Sequence, residues 1–85
     1  MNPRFDSIVS WLVETINTRR VPFDVHITGL FPKHTPWVDR YLFFYVNWAS
    51  FYQVFYEKGV LLTINNEKGI IVISPLEGKT FKKIE

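Results

Sequence analysis

The 85-residue chain contains no cysteine. That excludes a disulfide-stapled scaffold, a thiol nucleophile and any cysteine-ligated zinc site, so packing must hold the fold, helped where needed by self-association. Glycine and proline are few, four and five residues, and no low-complexity tract or solenoid-length repeat occurs. Neither sign of charge dominates. Ten Lys and Arg against eight Asp and Glu leave a net charge of +2, a balance that permits nucleic-acid contact without arguing for it. A long uninterrupted apolar run is also missing. Asp39, Arg40, Asn47, Ser50 and Gln53 break the most apolar stretch, so no membrane-spanning helix is expected. Met1–Asp6 lacks the apolar centre of a secretory leader, and a cytoplasmic setting is expected. The length suits a single domain, residues 1–85.

Aromatic residues are what the chain has in quantity. Ten of its fifteen rings fall in residues 37–56: Trp37, Tyr41, Phe43, Phe44, Tyr45, Trp48, Phe51, Tyr52, Phe55 and Tyr56. Each ring can bury roughly 150–250 Å², and a domain this small hides only about two-thirds of its unfolded surface. The interior does not have room for all of them, so some are expected to face a partner.

Along the chain, Asn2 then Pro3 reads as an N-cap followed by the first helical position. Phe5, Ile8, Val9, Leu12, Val13 and Ile16 recur at helical spacing, and Arg19 and Arg20 close the helix where cations suit its dipole. Trp11 lies off that apolar stripe, either flat at the rim of the core or as a contact for a partner. Residues 23–30 alternate, with Phe23, Val25 and Ile27 opposite Asp24, His26 and Thr28, the pattern of a half-buried strand.

Residues 36–58 allow two readings. A hairpin of 41–46 and 51–56 around Asn47–Ser50 would leave its first strand apolar on both faces, which a small sheet covers poorly. On a helical wheel, Asp39, Arg40, Asn47, Ser50, Gln53, Glu57 and Lys58 fall within an arc of about 140°. With Thr35-Pro36 as a start and Gly59 as a stop, the spacing predicts a helix, continuous or broken near Asn47–Ser50 with Ser50 as a second cap. Residues 60–64 and 70–73 then form a hairpin around Asn65–Gly69, with Gly69 at a left-handed turn position. Thr80–Glu85 is an edge strand or a frayed basic tail.

No constellation carries chemistry convincingly. Asp24, His26 and Thr28 share one strand face, yet i, i+2 side chains on a strand do not close a hydrogen bond and no nucleophile is placed beside them. His26, His34, Asp24 and Asp39 match no metal-site spacing. Glu77-Gly78-Lys79-Thr80 ends like a phosphate loop, but Ile73 stands where that motif needs its first glycine, and too little chain follows for the helix it requires. Catalysis and a bound cofactor are therefore not expected.

The run Phe55-Tyr56-Glu57-Lys58-Gly59-Val60-Leu61 into the hairpin resembles the junction between recognition helix and wing in the winged helix-turn-helix family. The resemblance is one of element order and covers residues 5–74. It implies Ser50–Lys58 as the recognition helix, Asn65–Gly69 as the wing tip, and phosphate contacts from Arg19, Arg20, Lys68, Lys82 and Lys83. Of the residues that read base edges, Ser50–Lys58 carries only Gln53 and Lys58 among five bulky apolar residues, where groove recognition draws on Arg, Lys, Asn and Gln.

The sequence thus predicts one α+β domain: an N-terminal helix, a strand, a long or broken aromatic-rich helix and a C-terminal antiparallel β-hairpin. The leading functional expectation is a non-catalytic protein-binding module that self-associates through exposed aromatics, as a regulator or inhibitor of a protein partner. Trp11, Trp37, Tyr41 and Tyr45 are its expected contacts, because aromatic anchors dominate interface energetics. DNA binding of winged-helix type is the alternative.

Overall fold

A computed structural model describes residues 3–85; the Asn2 cap lies outside the described residues. The element order is α1 (Pro3–Arg19), β1 (Phe23–His26), a 3-10 turn (Ile27–Leu30), α2 (Trp37–Glu57), β2 (Val60–Asn65) and β3 (Ile70–Pro75). The three strands form one antiparallel sheet in the order β1-β3-β2. The α+β class and the predicted sequence of elements are those observed.

Helix α1 buries Ile8, Leu12 and Ile16, with Phe5, Val9 and Val13 packed beside them, as its 3.6-residue spacing requires. It ends at Arg20, whose φ of 62° is left-handed. That conformation usually falls to glycine. Here it is fixed from outside the helix: Arg20 Nε donates to the Phe81 carbonyl at 2.8 Å, and the Phe81 N–H donates to the Arg20 carbonyl at 3.0 Å. One turn earlier, Asn17 grips the chain in the same two-way manner. Its Nδ2 donates to the Ile84 carbonyl and its Oδ1 accepts from the Ile84 N–H, both at 2.8 Å.

These four bonds correct the reading of the C-terminus. Thr80–Glu85 is neither an edge strand nor frayed; it is a segment without regular secondary structure docked on α1, with Phe81 and Ile84 in the core. Each such side chain contributes about 1.5–3 kcal/mol on burial, and the four hydrogen bonds add to this against the entropy of ordering the segment.

Strand β1 is shorter than its alternation predicted. The extended backbone stops at His26, and Ile27–Leu30 tightens into the 3-10 turn. Ile27 still reaches the core because the turn rolls its side chain inward, so burial alternates correctly to Ile27 although the strand has already ended. Thr28 leaves the face it was expected to share with Asp24 and His26.

Helix α2 is continuous, so neither the break at Asn47–Ser50 nor the hairpin reading is realised. It begins at Trp37, one residue later than predicted; Pro36 supplies the first accepting carbonyl, and no side chain caps the end. It stops where Gly59 turns left-handed at φ 81°. β2 then returns alongside it, and the β2–β3 hairpin closes through Asn65, whose Oδ1 accepts from the Lys68 N–H at 3.1 Å. Gly69, at φ 64°, occupies the predicted left-handed position. A Cβ there would lie 2.6 Å from Tyr41 Oη, so the missing side chain also lets α2 approach the hairpin tip. The core between helices and sheet is built from Phe44, Phe51, Phe55, Val60, Leu62, Ile71 and Ile73 with the α1 stripe. The shortest dimension of the molecule is 21 Å, that of two layers spaced about 10 Å apart.

Candidate interaction surface

The wheel of α2 has four sides. Phe44, Phe51 and Phe55 lie within about 40° of each other at 100° per residue and are buried in the core. To one side of that line, Phe43 packs edge-on to Phe31 at 5.6 Å, and Phe5 of α1 stacks on Phe51 at 4.2 Å. This side faces α1 and the loop after the 3-10 turn. Arg40 and Asn47 belong to it as well, although they are polar. Arg40 NH2 donates to the carbonyls of Pro32 and Lys33 (3.2 and 3.0 Å), and Asn47 Nδ2 donates to the Phe43 carbonyl at 2.8 Å. The polar arc is therefore only partly a solvent face. Asp39, Ser50, Gln53 and Glu57 form the exposed top.

The fourth side is apolar and uncovered. Val38, Leu42, Tyr45, Ala49, Tyr52 and Tyr56 occupy the flank opposite Phe43, and Val46 adjoins them; all are exposed. Tyr45 is 85% exposed and Val46 68%. Tyr52 and Tyr56 stack on each other at 5.9 Å. With ordinary side-chain areas the stripe offers on the order of 700 Å² to solvent. The largest apolar patch on a typical monomer is about 300–600 Å², while each partner in a standard interface buries roughly 800 Å². The stripe is thus at the upper end of an ordinary solvated patch and close to the size of one side of an interface.

The four expected contact residues do not form one patch. Tyr45 is the centre of the stripe. Trp37 is 68% exposed although it lies on the core line of the wheel; Tyr41, one turn later, already meets the hairpin tip at Gly69, so Trp37 projects past the end of the sheet. Its ring packs edge-on to Tyr41 at 6.1 Å. Tyr41 is half-buried and joins α2 to the hairpin. Trp11, 47% exposed, stands apart on α1, where it lines an open groove of ≈ 660 Å³ with Pro3, Ile8, Leu30 and Pro32. Val38, Leu42, Val46, Tyr52 and Tyr56 were missed. The signal was available: a polar arc of about 140° leaves an apolar one of about 220°, far wider than the roughly 100° a core-facing helix needs.

The cations divide between the two ends of the sheet. Arg19, its guanidinium 5.1 Å from the centre of the Phe23 ring, and Arg20 lie with the docked segment that carries Lys82 and Lys83. Lys68 sits at the hairpin tip, which the pairing of His26 with Ile70 places at the far end of β1. Asp24 and His26 remain on the exposed sheet face. Among the described residues no three His, Cys, Asp or Glu side chains are grouped to hold a metal ion, and no helix is long and apolar enough to cross a membrane.

Compared with protein-family models, curated proteins and solved structures, the chain matches none of them.

Proposed function

We propose that the protein is a small non-catalytic binding module that self-associates through the exposed flank of α2, acting in the cytoplasm as a regulator or inhibitor of a protein partner. The single observation that supports this reading is the tyrosine-centred stripe: an apolar surface of interface size on a helix whose opposite side already supplies the core. Tyrosine suits such a role, since its ring brings large contact area at low conformational cost and its hydroxyl tolerates water in the free state. Placing Asp at Tyr45 should abolish association while leaving unchanged the circular dichroism spectrum and the unfolding midpoint measured at concentrations where both chains are monomeric, because Tyr45 is 85% exposed. Loss of folding in that variant, or an unchanged oligomeric state, would speak against the stripe.

DNA binding of winged-helix type is the second reading. It draws support from the docking of the C-terminal segment, which gathers Arg19, Arg20, Lys82 and Lys83 at one end of the molecule. Duplex binding that weakens steeply with salt and is reduced by replacing Lys82 and Lys83 with Glu is the outcome this reading requires; no binding at low salt removes it.

A further inference from the structure

The exposed flank of α2 carries a regular spacing as well as an apolar character. Val38, Leu42, Tyr45, Ala49, Tyr52 and Tyr56 are all exposed, and they follow one another in steps of four, three, four, three and four residues. That alternation is the 3.5-residue repeat by which two paired helices keep one seam facing each other. The core line of the same helix, Tyr41, Phe44, Trp48, Phe51 and Phe55, runs in the same alternating steps and is covered by the rest of the chain. The flank is thus a second packing face of the same kind, left open.

At 100° per residue the midline of this seam stands about 120° around α2 from that of Phe44, Phe51 and Phe55. It therefore opens sideways, on the flank away from α1. The core line already holds α2 as a helix, so pairing along the seam does not have to form one, which is the costly step for an isolated helix of this length. Two stripes of about 700 Å² each bring roughly 1,400 Å² together, within the range of a specific interface.

The seam is also its own complement when reversed. About a twofold axis level with Asn47, Tyr45 falls opposite Ala49 of a second copy, Tyr52 opposite Leu42, and Tyr56 opposite Val38, since the members of each pair stand equally far from residue 47. Every tyrosine then meets a smaller apolar side chain, the alternation of large and small by which packed layers interdigitate. A parallel pair sets each residue against its own copy. Tyr45 and Tyr52 would crowd against themselves on either side of an Ala49 layer that leaves a gap, and both faults are destabilising.

We infer that two copies of this chain pair α2 with α2, antiparallel, in a short coiled-coil seam whose twofold axis lies level with Asn47. This rests on the self-association proposed above and names its geometry. The helix axes stand about 8–10 Å apart, closest at the central Tyr45–Ala49 layers, and the tyrosine hydroxyls reach past their smaller partners to water at the rim. Val46, 68% exposed, comes beside its own copy near the axis and extends the apolar contact there.

Pulsed electron paramagnetic resonance tests the pairing. The chain has no cysteine, so Asp39→Cys, Ser50→Cys and Glu57→Cys each take one spin label, at exposed positions off the seam. At 1.5 Å per residue the antiparallel register offsets the two labels along the helix by about 24 Å at position 39, about 9 Å at 50 and about 30 Å at 57. The expected result is a dimer with its shortest separation at 50 and its longest at 57. Ala49→Phe is a measure without labels: it fills the space of Tyr45 of the second copy and should raise the dimer dissociation constant tenfold or more. Equal separations at all three positions, or an unchanged constant for Ala49→Phe, overturn the antiparallel register in a dimer that Tyr45→Asp still dissociates, and leave the stripe standing as the interface. A dimer that Tyr45→Asp does not dissociate, or a wild-type chain monomeric at every concentration, overturns both.

Discussion

Gly69 and Tyr41 illustrate how single residues set the geometry. Gly69 is left-handed and has Tyr41 Oη where a Cβ would go. Gly69→Ala is expected to cost about 1–2 kcal/mol in urea unfolding, from backbone strain and the collision together. Adding Tyr41→Phe should recover part of that loss by removing the oxygen; an additive double variant would show that only the backbone matters. Asn17 is the second such residue. Asn17→Ala deletes both bonds to Ile84 and is expected to destabilise by about 1–3 kcal/mol, with the Ile84 amide exchanging freely while the amides of β3 stay protected. The turn glycine was legible in the sequence because left-handed turn positions select for it. Asn17 was not, since its partner lies 67 residues away and no local pattern announces so distant a bond.

At the scale of elements, periodicity read correctly wherever an element has one wet and one dry side. Helix α1 and the β2–β3 hairpin are of that kind; the continuity of α2 was legible instead from the single arc that its polar residues occupy. Periodicity failed where a tertiary contact decides the backbone. The alternation through Ile27 predicts an extended residue, yet a 3-10 turn buries the same side chain; the C-terminal segment has too few apolar residues to look structured until Asn17 and Arg20 hold it. The two apolar sides of α2 make the sharpest contrast available for mutation. Phe55→Ala removes a wholly buried ring and is expected to cost about 3–5 kcal/mol. Tyr45→Ala, ten residues earlier on the same helix, should change monomer stability by no more than about 0.5 kcal/mol. Comparable losses for the two in chemical denaturation of the monomer would mean that the stripe is part of the core.

Considered as a whole molecule, the ring excess of the sequence has a physical resolution. A core of this size accommodates Phe44, Phe51 and Phe55 of α2, with Phe43, Trp48 and Tyr41 partly covered; Tyr45, Tyr52 and Tyr56 are left outside with Val38, Leu42 and Val46. The count of rings was enough to expect a surplus. It was not enough to locate it, because Trp11 and Trp37 stood out by residue type while the surplus gathers around tyrosines on one flank. Sedimentation equilibrium of the wild-type chain beside its Tyr45→Asp variant is the most direct measurement of whether that flank is an interface. Two chains per particle for the wild type and one for a folded variant is the expected result; a wild-type monomer at the highest attainable concentration would contradict it.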